Sequence, residues 1–191
     1  MIRKTLENLL VAAALPDPHK SAELLLSRYH TLDGVFCADP SDLTDLVGER
    51  GAMIIKLTAA TVCRRAEDNL MPGTRYSEVK MREHLVGFFC GSSVELLYLI
   101  SLDDSDEILS VDLVGEGTVN SAGVAPRRLL DSAVKNRAKS VIIAHNHPAG
   151  RATPSSEDMA FTDAAENILG EIGIKLRAHY VVAGNQCRKI D

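Results

Sequence analysis

The run Ser140-Val141-Ile142-Ile143-Ala144-His145-Asn146-His147-Pro148-Ala149-Gly150-Arg151-Ala152-Thr153-Pro154-Ser155-Ser156-Glu157-Asp158 leads from an apolar segment through two histidines and two prolines into the start of a helix. Its first five residues are mostly apolar and β-branched, the pattern of a strand buried on both faces of a sheet. His145 and His147 stand at the strand's exit. Side chains alternate in extended chain, so both imidazoles project to one side and Asn146 to the other. Pro148 and Gly150 break the strand, Pro154 stops an early helix, and Ser155 is a good N-cap for a helix opening Ser156-Glu157-Asp158. A loop folding back at the strand's C-terminal edge brings the Asp158 carboxylate beside the two imidazoles. Two His and one Asp leave a fourth tetrahedral position open, the mark of a catalytic zinc site with one ion per chain.

Each of these residues also has a plainer use. A His-x-His pair at a strand end can be loop polar groups, and Ser155-x-x-Asp158 reads as a capping box with an acid suited to the helix dipole. Capping explains Asp158 alone. It does not explain the two histidines, the two prolines and the serine together.

Outward from this stretch, residues 71–191 read as helix, two strands, helix, strand, helix, strand. The helices run from Ser77 to about Phe88, from Pro126 to about Ala138 and from Ser156 to about Ile172, with Ser77 a cap. Strand Val94 to Leu102 turns through Asp103-Asp104-Ser105-Asp106 into a hairpin partner from Ile108 to Val114. Lys175 to Ala183 is a further strand, and the last residues pair as an edge. This is an α/β pattern: a mixed sheet with helices on its faces. Glu95 is anomalous in the first strand, because a carboxylate in an apolar run is costly unless paired, hydrogen-bonded or working.

Residues 1–70 form a second unit, separated by the linker Leu70-Met71-Pro72-Gly73-Thr74. They read as short helices over Leu6 to Leu15, Ser21 to Tyr29, Leu32 to Phe36, Ser41 to Val47 and Ala52 to Asp68, with Ser41 an N-cap. Met53, Leu57, Ala60 and Val62 recur at helical spacing and read as core.

The chain has 191 residues, 46% hydrophobic and 25% charged, which is ordinary globular composition. No stretch approaches the ~20 apolar residues of a membrane span. Arg3-Lys4 before Leu9 to Leu15 imitates a signal peptide, but Glu7 and Asn8 interrupt it. Cys37, Cys63, Cys90 and Cys187 are widely spaced with no Cys-x-x-Cys pair, which suits buried thiols in a reducing compartment. The expectation is a soluble cytoplasmic protein with no membrane partner. A net charge of −5 argues against a chain built to coat nucleic acid. Residues 1–70 hold 8 Lys and Arg against 10 Asp and Glu.

His145, His147, Ser155 and Asp158, spaced His-x-His-x7-Ser-x-x-Asp, resemble the JAMM (MPN+) metalloprotease motif. The fuller run His145-Asn146-His147-Pro148-Ala149-Gly150 with Thr153-Pro154-Ser155 resembles, more narrowly, the bacterial RadC family. So does Gly117-Thr118-Val119-Asn120-Ser121-Ala122 with Pro126-Arg127 after it. The resemblance covers nearly the whole chain. It implies a cytidine-deaminase-like α/β/α arrangement for residues 71–191, behind a small all-α domain with a helix-hairpin-helix motif.

The resemblance also implies a zinc-dependent peptidase or isopeptidase acting on a peptide or protein substrate, with His145, His147 and Asp158 as metal ligands. It implies a glutamate on an early strand as general base. Glu95 fits that place, with Glu116 in reserve; pairing with a buried Arg or capping a helix is the plainer use of Glu95. The Ser155 hydroxyl is implied as a donor to the oxyanion, a role that competes with capping. The family's traditional label, DNA repair, gives a second reading in which the helical domain binds DNA. Here the hairpin turn is Gly48-Glu49-Arg50-Gly51, with Arg50 where the second glycine belongs and Glu49 adding an anion, so DNA ranks behind hydrolysis and the helical domain reads as a packing or partner module. His84 and His179 read as a helix-surface residue and a satisfied core histidine, both outside the site.

Overall fold

The structure is a computed structural model, and it describes residues 1–117, 124–148 and 150–190. Past its first residue, the Gly117 to Ala122 motif lies outside the described residues, as does Ala149.

Four helices form the N-terminal part: α1 (Ile2–Ala12), α2 (Pro18–Tyr29), α3 (Leu32–Cys37) and α4 (Pro40–Asp68). They pack around Leu6, Leu10, Leu25, Val35, Leu43 and Ile55, all fully buried. The two helices expected over residues 41–68 are one run broken at Gly48, whose φ of 71° and ψ of 169° suit a residue without Cβ. Asp39, not Ser41, caps this run; its carboxylate accepts the Ser41 N–H at 2.8 Å. A correction also applies to the α4 core. Met53, Leu57 and Val62 are exposed at 63%, 58% and 40%, and Ala60 is exposed too. The buried stripe is Ala52, Ile55, Ala59 and Ala66, steps of three, four and seven residues. Met53 and Leu57 are displaced from it by one and two residues, at about 100° per residue.

The C-terminal half of α4 lies against α5 (Glu78–Phe88) across small residues. A Cβ on Gly87 would fall 2.9 Å from Ala66 Cβ, and one on Gly91 2.9 Å from Ala59 Cβ. Leu70, in the expected linker, is itself buried against the sheet. Ser77 precedes α5 without a side-chain cap bond.

Among the described residues the sheet has five strands, β1 (Leu96–Leu102), β2 (Ile108–Glu116), β3 (Ser140–Asn146), β4 (Lys175–Ala183) and β5 (Gln186–Ile190), in the order β2-β1-β3-β4-β5. Only β3 and β4 run parallel; the other neighbours are antiparallel. The expected mixed sheet with helices on its faces is therefore what the chain forms. On one face α5 sets Met81, Leu85 and Phe89 against Ile100, Ile142, Ala144 and Tyr180. On the other, α6 (Val124–Lys135) and α7 (Ser156–Glu171) set Leu129, Ala133, Ala165 and Leu169 against Leu97, Leu99, Val141 and Ile143.

β3 is the middle strand and buried at every residue, which accounts for its unbroken apolar pattern. It reaches Asn146, so His145 lies inside the strand rather than at its exit. β1 starts at Leu96, so Glu95 is the residue before the strand rather than a member of it. Among the described residues, no helix is long and apolar enough to cross a membrane.

Candidate metal centre

The two faces of the sheet sort the residues of the centre. Val141 and Ile143 face α6 and α7, and period two puts His145 on the same side. Asn146 falls on the α5 side with Ile142 and Ala144. Helix α7 starts beside His145, and its first turn carries Asp158.

The Nε2 atoms of His145 and His147 are 3.0 Å apart. Asp158 Oδ1 lies 3.1 Å from His145 Nε2, and Oδ2 3.5 Å from His147 Nε2. Ligand atoms about 2.0–2.2 Å from a zinc ion at tetrahedral angles lie roughly 3.3–3.6 Å apart, so the donor set is within a few tenths of an ångström of the spacing around one such ion. The side chains of His145 and Asp158 are 1% and 5% exposed, and that of His147 is 20% exposed. His147 Nδ1 is 3.1 Å from the Arg151 carbonyl. A carbonyl only accepts, so Nδ1 carries the proton and Nε2 offers a lone pair to the centre.

Asp158 serves both of the uses the sequence left open. Its Oδ2 accepts the Ser155 N–H at 2.7 Å, and Ser155 Oγ accepts the Asp158 N–H at 3.1 Å, a complete capping box. The cap points the carboxylate at the imidazoles. Burial alone would raise this carboxyl's pKa, but the His145 ring beside it and the Ser155 N–H hold it well below the usual range. Capping uses a lone pair of Ser155 Oγ and not its O–H, so the two roles considered for Ser155 are compatible.

Glu95 stands across from the histidines. A carboxylate oxygen of Glu95 and one nitrogen each of His145 and His147 all lie within 4.8 Å of one another. Burial pushes the Glu95 carboxyl up, the two imidazoles pull it back, and Asp158 adds to the rise. Glu116 instead ends β2, opposite Leu96.

Two residues of the centre went unrecognised in the sequence. Asn146 accepts the Leu96 N–H through Oδ1 at 2.8 Å and donates through Nδ2 to the Val94 carbonyl at 3.0 Å. These bonds bracket Glu95, whose own carbonyl accepts the Gly117 N–H at 2.8 Å. His179, on β4, is a satisfied core histidine as expected, but it is not outside the site. Its Nε2 lies 2.9 Å from His145 Nδ1, and its Nδ1 2.7 Å from Thr162 Oγ1. Burial and the neighbouring imidazoles push the His179 pKa down to about 3, so the ring is neutral. Alternation along β4 could have put His179 on the α7 face, but its neighbour across the sheet follows only from the β3–β4 register. His84 is half-buried on α5 and takes no part.

Comparison with known proteins agrees with this geometry. The RadC-like JAB domain family matches residues 76–189. A UPF0758 protein of Bordetella petrii is 33% identical over 164 residues, covering 84% of this chain and 73% of that protein. UPF0758 proteins of Vibrio cholerae and Shewanella baltica are each 29% identical over 168 residues, covering 86% of this chain and 75% of theirs. The matched segment spans the sheet, α6, α7 and every residue of the centre, and the relatives extend the likeness into the helical part: the chain belongs to the RadC family.

Proposed function

We propose that the chain is a metal-dependent hydrolase of amide bonds, a zinc peptidase or isopeptidase acting on a peptide or protein. The observation that carries this is the convergence of His145 Nε2, His147 Nε2 and the Asp158 carboxylate at spacings suited to one tetrahedral ion, with Glu95 opposite. Two imidazoles and one carboxylate leave a fourth position open. A zinc ion held there would lower the pKa of a water to about 7 and polarise the substrate carbonyl.

The chain's own residues do the rest. Glu95 takes a proton from the attacking water and delivers it to the leaving amine. A raised carboxyl suits a group that must first accept and then release a proton. The O–H of Ser155 donates to the oxygen that gains charge as the carbonyl becomes tetrahedral. Substrate reaches the centre from the side of His147, its more exposed ligand. Pro148, Gly150 and Arg151, which follow His147 in sequence, share a cleft with Tyr29, Asp33 and Cys37 of the helical part.

The helical part we read as a packing or partner module rather than a DNA grip. Gly51 is buried against Val47 and Leu15, so its missing Cβ serves internal packing. Arg3, Arg28 and Arg64 pair with Glu7, Asp42 and Glu67 of the same part. The full chain should bind duplex DNA weakly at physiological salt. Tight binding that falls steeply as salt is raised would reverse this ranking.

Metal analysis tests the leading reading. The purified protein should hold about one zinc per chain, because three protein ligands make one mononuclear site. His145→Ala combined with His147→Ala should hold none. Full zinc in that double variant would refute the ligand assignment.

A further inference from the structure

Each imidazole in the centre must offer a bare nitrogen to a metal, and a neutral histidine has one bare nitrogen and one N–H. For His147 the choice is made by the Arg151 carbonyl. For His145 the partner of Nδ1 is another imidazole, which could donate or accept. The direction is set farther along. Thr162 lies one turn after Asp158 on α7, and its hydroxyl is 2.7 Å from the Asp158 carbonyl. That carbonyl only accepts, so the hydroxyl donates to it, the usual bond of a helical threonine to the residue four before it. With its proton committed, Thr162 Oγ1 accepts from His179 Nδ1 at 2.7 Å. His179 then carries its proton on Nδ1 and presents a bare Nε2, which accepts from His145 Nδ1 at 2.9 Å. His145 Nε2 is left bare, directed at Asp158 and His147.

We propose that His179, aligned by Thr162, is a positioning residue that fixes His145 as its Nδ1–H tautomer and so readies Nε2 for the metal. This rests on the reading of His145 as a ligand. The arrangement runs in one direction from a backbone carbonyl to the centre, through side chains from α7, β4 and β3 in turn. His179 is 2% exposed and His145 fully buried, so water does not substitute for either partner. An outer partner of a ligand histidine is usually a carboxylate, a backbone carbonyl or water. Here a neutral histidine does that work, and only because a threonine holds it in one tautomer.

The test reads tautomers and metal affinity rather than turnover. Long-range 15N–1H spectra of the zinc-loaded full chain should show His179 protonated at Nδ1 and bare at Nε2, and His145 protonated at Nδ1 with no proton on Nε2. A proton on His179 Nε2 would overturn the proposal. Zinc affinity, measured by competition with a chelating dye, should fall about 10–100-fold in His179→Phe. His179→Gln, whose amide oxygen can accept from His145 and whose NH2 can donate to Thr162, should recover most of that loss. Should His179→Phe fail to fold, Thr162→Val provides the second variant: it should weaken zinc binding, and Thr162→Ser should restore it. Unchanged affinity in both His179→Phe and Thr162→Val would overturn the proposal, and so would equal losses in the Phe and Gln variants of His179. If the wild-type chain itself binds no zinc, the site reading fails and this inference with it. Wild-type binding with insensitive variants removes the inference alone.

Discussion

The two sides of the centre are built from different material. His145 and Asp158 sit in regular structure, on the middle strand and in a capped first helical turn, and are almost wholly buried. His147 and Glu95 sit just outside it, one residue beyond β3 and one before β1. Their anchors are side-chain and loop contacts: the Arg151 carbonyl for His147, and Asn146 bonds to both neighbours of Glu95. The framework side can hold its geometry whether or not ligand is present, because moving it would disturb the core. The margin side meets solvent, where the proton transfer proposed for Glu95 has access.

Substitutions can break or sharpen this contrast. The largest expected effect is on chemistry: Glu95→Gln should keep zinc and lose roughly 10²–10⁴ in turnover, the usual cost of removing a general base. Asp158→Asn should differ in kind, weakening zinc itself. Zinc stoichiometry measured beside turnover for both variants separates the two sides. A fully active Glu95→Gln with an inactive Glu116→Gln would move the base to β2.

Acid should act on the framework side. The folded-state pKa of His179 lies near 3 against an ordinary 6.5, so below pH 6.5 the unfolded chain takes up a proton that the folded chain refuses. Stability of the metal-free protein should therefore fall as pH drops from 6.5 towards 3, by up to about 1.4 kcal/mol per unit from this group. Asp158, held below its ordinary range, adds a loss in the same direction below about pH 3.8. Urea melts across that range check the slope, and His179→Gln should flatten it.

Asn146→Ala comes next. It leaves the Val94 carbonyl and Leu96 N–H without their partner, for about 1–3 kcal/mol of stability. Turnover should fall while zinc is retained, because Glu95 loses its alignment and the ligands do not; loss of zinc instead would place Asn146 with the framework. The smallest effect is expected from Gly150→Ala. Its new Cβ would lie 3.1 Å from His147 Cβ and shift that ring by a few tenths of an ångström. Zinc affinity should fall only a few-fold, and no change at all would show that the loop yields freely.

Much of the framework was legible in residues 140–158, because local rules govern it. A β-branched run, period-two alternation, two prolines and a serine cap specify strand, shared face, loop and helix in order. The margin was less legible. Asn146 looked like the residue pointing away from the chemistry, and it does point to the other face; its use lies in where β1 begins, which is not a local property. His179 was read correctly as buried but without its partner, since the Ile143–His179 pairing depends on the β3–β4 register. On α4, helical spacing alone picked Met53 and Leu57, whereas packing against α1 and α3 buries the stripe through Ile55. Periodicity identifies that a helix has faces; its neighbours decide which one is inside.

The pairing of Leu97 with His145 between β1 and β3 carries a further consequence. Glu95 and His145 are brought together by strand alignment, so the hairpin, loop and helix between them in sequence can lengthen or shorten without moving either. A slip of β1 by two residues is another matter. It would keep every apolar side chain on its own face and yet carry Glu95 roughly 6.6 Å along the strand, out of reach of the histidines. Such a molecule could have the same circular dichroism and a similar melting curve with its centre undone, so measures of folding alone would not distinguish it from the native chain.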